Sequence, residues 1–160
     1  MDPISQGVAG NAIWAGIVAA VRAAVAPKIK IIFPRPQETL SDAQSFGSGR
    51  KFPVRGVLRN LPKGYEIWLL VQDDSSQSVW PQGFSPVQFD PHQGTWTGWI
   101  NGTGRSDVRI VAVLAPPTSQ DFFRYFQQVG PLSEPKFQPL KRLPLECINR
   151  DSVQARVPKA

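Results

Sequence analysis

The stretch NLPKGYEIWLLVQDD, from Asn60 to Asp74, constrains the fold more than any other part of the chain. It opens on a Pro-Lys-Gly turn and continues as an alternating segment, the pattern of a β-strand. Tyr65, Ile67, Leu69 and Val71 share one face, and Glu66, Trp68, Leu70 and Gln72 share the other. Both faces are apolar in the middle, which marks a central strand of a sheet rather than an edge.

Several other segments alternate in the same way. KIKIIF, Lys28 to Phe33, is rich in β-branched residues and stops at Pro34. PVRGVL sets Val54, Gly56 and Leu58 opposite Arg55 and Arg59. GTWTGWING sets Trp96, Gly98 and Ile100 opposite Thr95, Thr97 and Trp99, and closes on an Asn-Gly turn. DVRIVAVLA sets Val108, Ile110, Ala112 and Leu114 against Arg109, Val111 and Val113, and DSVQARV puts Val153, Ala155 and Val157 on one side. Between the strong strands, Pro81, Pro86 and Pro91 remove ladder donors and leave room only for short edge strands.

About seven strands joined by connections too short for crossover helices predict a mainly β chain, an immunoglobulin-like antiparallel β-sandwich over residues 28–160. A large tryptophan in a middle strand, as at Trp68, is what such a core commonly uses. Cys147 is the single cysteine, so an internal disulfide and a cysteine-based zinc site are excluded. That argues against an antibody-type domain but not against the wider class, and it suits a reducing compartment.

SQDFFRYFQQVG predicts a short helix over 119–129, with Ser119 as N-cap and Gly130 at its end. Phe122, Phe123 and Phe126 fall on one side, Arg124, Gln127 and Gln128 elsewhere, so the helix is expected to cover one end or edge of the sandwich. The proline-rich GPLSEPKFQPLKRLPLEC reads as an extended surface connector before the last strand.

Residues 1–27 form a separate apolar unit that ends at Pro27. On a helical wheel, Ile13, Trp14, Ile17, Val18, Val21 and Val25 make a bulky face, and Trp14, Val18, Val21 and Val25 follow heptad spacing. Ala12, Ala15, Gly16, Ala19, Ala20 and Ala23 make a small-residue face that permits close packing. A helix apolar all round is normally buried, by self-association, by docking on its own domain or in a membrane. A span from Ile4 to Ala26 would measure about 34 Å, just enough for a bilayer. Gln6, Asn11 and Arg22 oppose that burial, and Asp2 and Arg22 oppose a secretory signal, although AVA before Pro27 resembles a cleavage site.

The net charge of +6 invites a nucleic-acid or anionic-membrane reading, but Lys and Arg are scattered along the chain and suit an ordinary basic surface. Catalytic chemistry is poorly provided for. The only histidine, His92, sits in the turn DPHQG, and the closest acid pair is Asp73-Asp74 at a strand end. No nucleophile elbow, phosphate-cradling loop or dinucleotide fingerprint occurs. The expectation is a protein that is not an enzyme and holds no metal or cofactor. Aromatic residues crowd between Trp80 and Trp99, and the candidate ligand surface is Trp80, Phe84 and Trp99 with Arg55, Arg105 and Arg109. Trp96 and Trp99 project to opposite faces, so at most one of them faces solvent.

The stretch NLPKGYEIWLLVQ, then VWPQG, then GTWTGWINGTGRSDVRIVAVLA resembles the accessory immunoglobulin-like β-sandwich modules of bacterial multidomain or membrane-tethered proteins. The similarity covers residues 52–114 and rests on core and turn positions, so it implies a fold. Members with an N-terminal apolar segment look like membrane-tethered or self-assembling components, some in bacterial defence systems. The expected function is a non-catalytic interaction module in which the N-terminal helix drives self-association or anchoring. Its partners would be copies of itself or another protein, with a membrane or nucleic acid behind those, in the cytoplasm or at a membrane. The alternatives are a sandwich that binds carbohydrate or nucleic acid through exposed aromatic and basic residues, and a membrane-inserting effector.

Overall fold

The computed structural model describes residues 15, 26–40, 44–46, 49–73, 76–82, 87–101, 107–132 and 136–158. The predicted N-terminal helix, with Ala12, Ile13, Trp14, Gly16, Ile17, Val18, Ala19, Val21, Ala23 and Val25, lies outside them, as do Phe84 and Arg105.

Alternation resolves into two antiparallel sheets. Strands β1 (Lys28–Phe33), β2 (Gln44–Phe46), β3 (Gly49–Arg59), β6 (Gln88–Asp90) and β7 (Thr95–Asn101) form the first, in the order β1-β3-β7-β6 with β2 also on β3. Strands β4 (Glu66–Gln72), β5 (Val79–Pro81), β8 (Asp107–Ala115) and β9 (Ile148–Arg156) form the second, in the order β5-β4-β8-β9. The proline-limited strands β5 and β6 are three residues each and stand at the ends of these orders.

The inter-sheet core follows the alternation. Val54 and Leu58 of β3, Ile67, Leu69 and Val71 of β4, Ile110, Ala112 and Leu114 of β8, and Val153 and Ala155 of β9 all enter it. The tryptophan between the sheets is Trp96 of β7, 1% exposed, with its Nε1 donating to Val57 O at 3.2 Å. It fits because Gly56 has no side chain: a Cβ there would collide with the Trp96 indole and with the Lys30 carbonyl of β1. The turn before β4 is a Pro-Lys-Gly turn as read, with Gly64 at φ 81°, where only glycine is unstrained.

Trp68 departs from the expectation for an immunoglobulin-like core. It lies on the outer face of the second sheet, in a separate apolar cluster with Leu70, Val79, Val111, Val113, Ala115 and Phe123. Strand β4 is apolar on both faces because each faces a different layer. The second layer is helix α1 (Pro117–Val129), which lies over the β4–β8 part of the outer face with its start at the end of β8.

The helix begins earlier than Ser119. Pro116 is the N-cap and Pro117 starts the first turn, where its missing N–H costs nothing. The buried stripe is Ser119, Gln120, Phe123, Phe126 and Gln127, so Phe122 turns outward at 44% exposure while Gln127 turns in. Phe123 meets Trp68 at 5.1 Å between ring centroids. Gln120 Nε2 donates to Gly64 O (2.7 Å) and Ala115 O (2.9 Å), clamping the helix start to the turn before β4 and to the end of β8. Arg124 Nη2 reaches both oxygens of Glu66 at 2.8 Å, and Trp68 Nε1 donates to Glu66 Oε2 at 3.3 Å.

The connector after α1 is more than a surface segment. Leu140, Leu143 and Cys147 pack against the second cluster, and Leu140 exchanges backbone hydrogen bonds with Val79, which extends the sheet past β5. At the opposite margin, residues 37–40 leave β1 and run beside β9: Gln37 N donates to Gln154 O, Leu40 N to Arg156 O and Arg156 N to Glu38 O. Asp151 Oδ2 accepts from Ile31 N at 2.7 Å, tying the two sheets together. The four-stranded sheet is thus covered over β4 and β8 on its outer face and flanked along both margins, while Ser152, Gln154 and Arg156 of β9 stay exposed.

Candidate functional site

The outer face of the five-stranded sheet has no such cover among the described residues. Because β1, β3 and β7 alternate, the residues opposite the core come to the surface together. Lys28 and Lys30 of β1 are exposed, opposite the buried Ile29 and Ile31. Arg55 and Arg59 of β3 are exposed between the buried Val54, Gly56 and Leu58. Thr95, Thr97 and Trp99 of β7 are half-buried on the same side.

Register brings these residues into rows. Lys28 stands opposite Arg59 and Lys30 opposite Val57, which in turn faces Thr95. Arg55 faces Thr97, and Pro53 faces Trp99, so Arg55 and Trp99 are diagonal neighbours. Lys51 continues the row toward Asn101. The Arg55 guanidinium lies over the Phe33 ring at 5.6 Å from its centroid, a cation–π contact.

The acid on this side, Asp90 of β6, is already engaged. Its Oδ1 accepts from the backbone N–H of His92 (2.8 Å) and of Gln93 (3.2 Å), which forms the turn into β7. Among the described residues, the face therefore presents the cations Lys28, Lys30, Arg55 and Arg59 with an indole beside them. Such a surface can attract phosphate, sulfate or carboxylate groups and can stack a planar ring.

Of the predicted ligand surface, the structure brings Arg55 and Trp99 together. Arg109 belongs to the other sheet, half-buried, between Gln72 of β4 and Gln154 of β9 in register. Trp80 stands at the margin of that same sheet, with Nε1 donating to Phe137 O at 3.1 Å. Phe84 and Arg105 lie outside the described residues. The residues that sequence reasoning passed over are Lys28, Lys30 and Arg59. The signal for the lysines was the strict Lys-Ile alternation of KIKIIF, which displays both on one side.

Among the described residues, groups suited to catalysis do not converge. His92 is exposed in its turn, Asp90 is taken up by backbone donors, and Asp73 Oδ2 accepts from Ser76 Oγ at 3.0 Å. Among the described residues, no three His, Cys, Asp or Glu side chains are placed to hold a metal ion. Burial beneath the connector pushes the Cys147 thiol above its ordinary value; the nearby Ser119 hydroxyl works against that shift and Glu146 adds to it. Among the described residues, no helix is long and apolar enough to cross a membrane. The sequence matches no protein-family model and no curated protein.

Proposed function

We propose that this chain is a non-catalytic binding module built on an immunoglobulin-like sandwich, and that its open sheet face takes single-stranded nucleic acid. The fold part is supported by strand order. β1-β3-β7-β6 follows the ABED sheet of that class, and β4, β8 and β9 follow CFG, with β5 added beside the C position. The departures are an outward Trp68 and a helix between the last two strands.

The observation that carries the ligand is the contrast between the two outer faces. One is covered over β4 and β8 by α1 and the connector, whereas the other displays Lys28, Lys30, Arg55 and Arg59 with Trp99. From Pro53 to Arg59 this strip runs about 20 Å along β3, enough for several nucleotides. Phosphates would follow the cations while a base stacks on Trp99, which combines both features of single-strand binding.

Fluorescence anisotropy with a labelled oligo(dT) checks this. Four phosphate contacts imply a log–log salt slope of about −3. Lys30→Glu with Arg55→Glu should weaken binding by about tenfold or more and flatten that slope, since each lost contact removes its released counterion. Trp99→Ala should cost about 1–3 kcal/mol of affinity without changing the slope. Equal binding by wild type and the double variant would remove the sheet face from the reading. Heparin binding that Trp99→Ala leaves intact, with no oligonucleotide binding, would point to a sulfated polymer instead.

A second reading concerns Met1 to Ala26 as an assembly or anchoring segment. Strand β1 starts at Lys28 with almost no linker, and Ala26 O accepts from Asn60 Nδ2 at 3.5 Å, so the segment meets the sandwich at a defined place. Light scattering should find the full chain oligomeric and the chain lacking residues 1–26 monomeric. Two monomers would refute assembly, and liposome flotation of the full chain alone would favour anchoring.

A further inference from the structure

The solvent side of α1 carries a stripe that the sheet-face reading does not use. Thr118, Phe122, Tyr125 and Val129 follow 4-3-4 spacing, which keeps them on one side of the helix. Phe122 and Tyr125 are exposed, Tyr125 at 62%, and Val129 is half-buried. Large apolar side chains aligned along a helix in this way mark a contact surface.

The chain contains one other segment of the same measure. Trp14, Val18, Val21 and Val25 repeat the 4-3-4 spacing, and Ala15, the one described residue among them, is helical. Each seam runs about 16 Å at 1.5 Å per residue. Aligned in parallel, Trp14 meets Thr118, Val18 meets Phe122, Val21 meets Tyr125 and Val25 meets Val129. A large side chain then faces a smaller one at the first three levels, which lets the seams interdigitate. The flanking charges favour the same orientation. Asp121, its side chain 82% exposed, borders one seam, and Arg22 borders the other, five positions further along in this register. That is where charges beside a heptad seam meet across a parallel pair.

The segment cannot reach the α1 of its own copy in this way. Ala26 O accepts from Asn60 Nδ2 at 3.5 Å and Lys28 pairs with Arg59, so the segment leaves from the five-stranded sheet. Helix α1 lies on the far side of the other sheet, two packed layers or about 20 Å away. It also starts at the end of the sandwich where the segment leaves, because Gln120 Nε2 donates to Gly64 O in the turn after Asn60. Val129 at its other end is more distant still, whereas Val25 is one peptide bond from Ala26.

We propose that the N-terminal segment of one copy docks on the outward stripe of α1 in a second copy. This docking rests on the reading of Met1 to Ala26 as an assembly segment and gives that segment its receiving surface. Donor and acceptor are different surfaces, so the contact is head-to-tail and builds a ring or a filament. The basic sheet face lies across the sandwich from α1 and stays open.

Light scattering on full-length proteins tests it. The wild type should be oligomeric. Phe122→Glu with Tyr125→Glu, and separately Val18→Glu with Val21→Glu, should each weaken association at least about tenfold and leave monomers. Mixed, these two variants should form a complex of two copies and no larger, because one keeps only the segment and the other only the stripe. Asp121→Arg should weaken assembly about two- to threefold, and Arg22→Asp on the same chain should restore it. Unfolding of the diluted α1 variant should change little, since both replaced side chains are exposed. Oligomers that persist in the Phe122 and Tyr125 variant would overturn the docking surface while leaving the segment as an assembly device. A monomeric wild type would overturn both. A mixture that stays monomeric, or an Asp121→Arg loss that Arg22→Asp fails to reverse, also overturns the proposal.

Discussion

Gly56→Ala should destabilise the protein by about 3 kcal/mol or more, at the upper end for overpacking a core. Position 56 lies in the middle of β3 and points between the sheets, where an added methyl meets the Trp96 indole on one side and the Lys30 carbonyl on another. Neither neighbour can move cheaply. The carbonyl belongs to the paired strand β1, in register through Ile31 and Gly56. Trp96 is fixed by its Nε1 bond to Val57 O, and swinging the ring away would strand a buried N–H. Because small domains are stable by only about 5–15 kcal/mol, this one methyl should remove much of the total. Denaturant unfolding measures it, and Trp96→Leu introduced with Gly56→Ala should recover part of the loss as a coupling term. A Gly56→Ala variant within about 0.5 kcal/mol of wild type would show that the Trp96 ring does not lie against position 56.

Adjacent phenylalanines in α1 should give opposite results. Phe123→Ala is expected to cost about 3–5 kcal/mol, the range for removing a fully buried aromatic ring. Phe123 is 0% exposed and stacks obliquely on Trp68, so its loss opens a cavity directly under the helix. Phe122→Ala should stay within about 0.5 kcal/mol, because that ring faces solvent. Trp68 provides a second readout, since opening its cover should shift indole emission to the red in Phe123→Ala and leave it unmoved in Phe122→Ala. Equal losses at both positions would mean that α1 sits on the sheet with a different face from the one described.

The faces of the principal strands could be read directly. Val54, Gly56 and Leu58, Ile67, Leu69 and Val71, and Val108, Ile110, Ala112 and Leu114 all point as alternation requires, because a pleated backbone sends successive side chains to opposite sides whatever its partners are. The short strands β5 and β6 are legible through their prolines for an equally local reason, whereas β2 carries no such mark.

Errors arose where a choice depended on a distant segment. In α1 the aromatic side of the wheel contains Phe122 as well as Phe123, and only the sheet beneath decides which is buried. The Ser119 cap was plausible by residue preference, but the preceding Pro116-Pro117 pair starts the helix earlier and carries Ser119 inside. Trp68 was correctly placed opposite Ile67 and Leu69. Its assignment to an inter-sheet core failed because a helix inserted between β8 and β9 gave β4 a second apolar partner.

The candidate face shows the same division. Arg55 and Trp99 were picked out singly, yet they become neighbours only through the pairing of β3 with β7, and Lys28 and Lys30 join them only through the pairing of β1 with β3. By itself, the sequence determined which segments extend and which way their side chains point, because both are set by backbone geometry over a few residues. The tertiary structure alone decided which apolar faces found cover, which basic face stayed open and where Ser119 was buried. Those outcomes come from register and packing between segments far apart in the chain, and no local period encodes them.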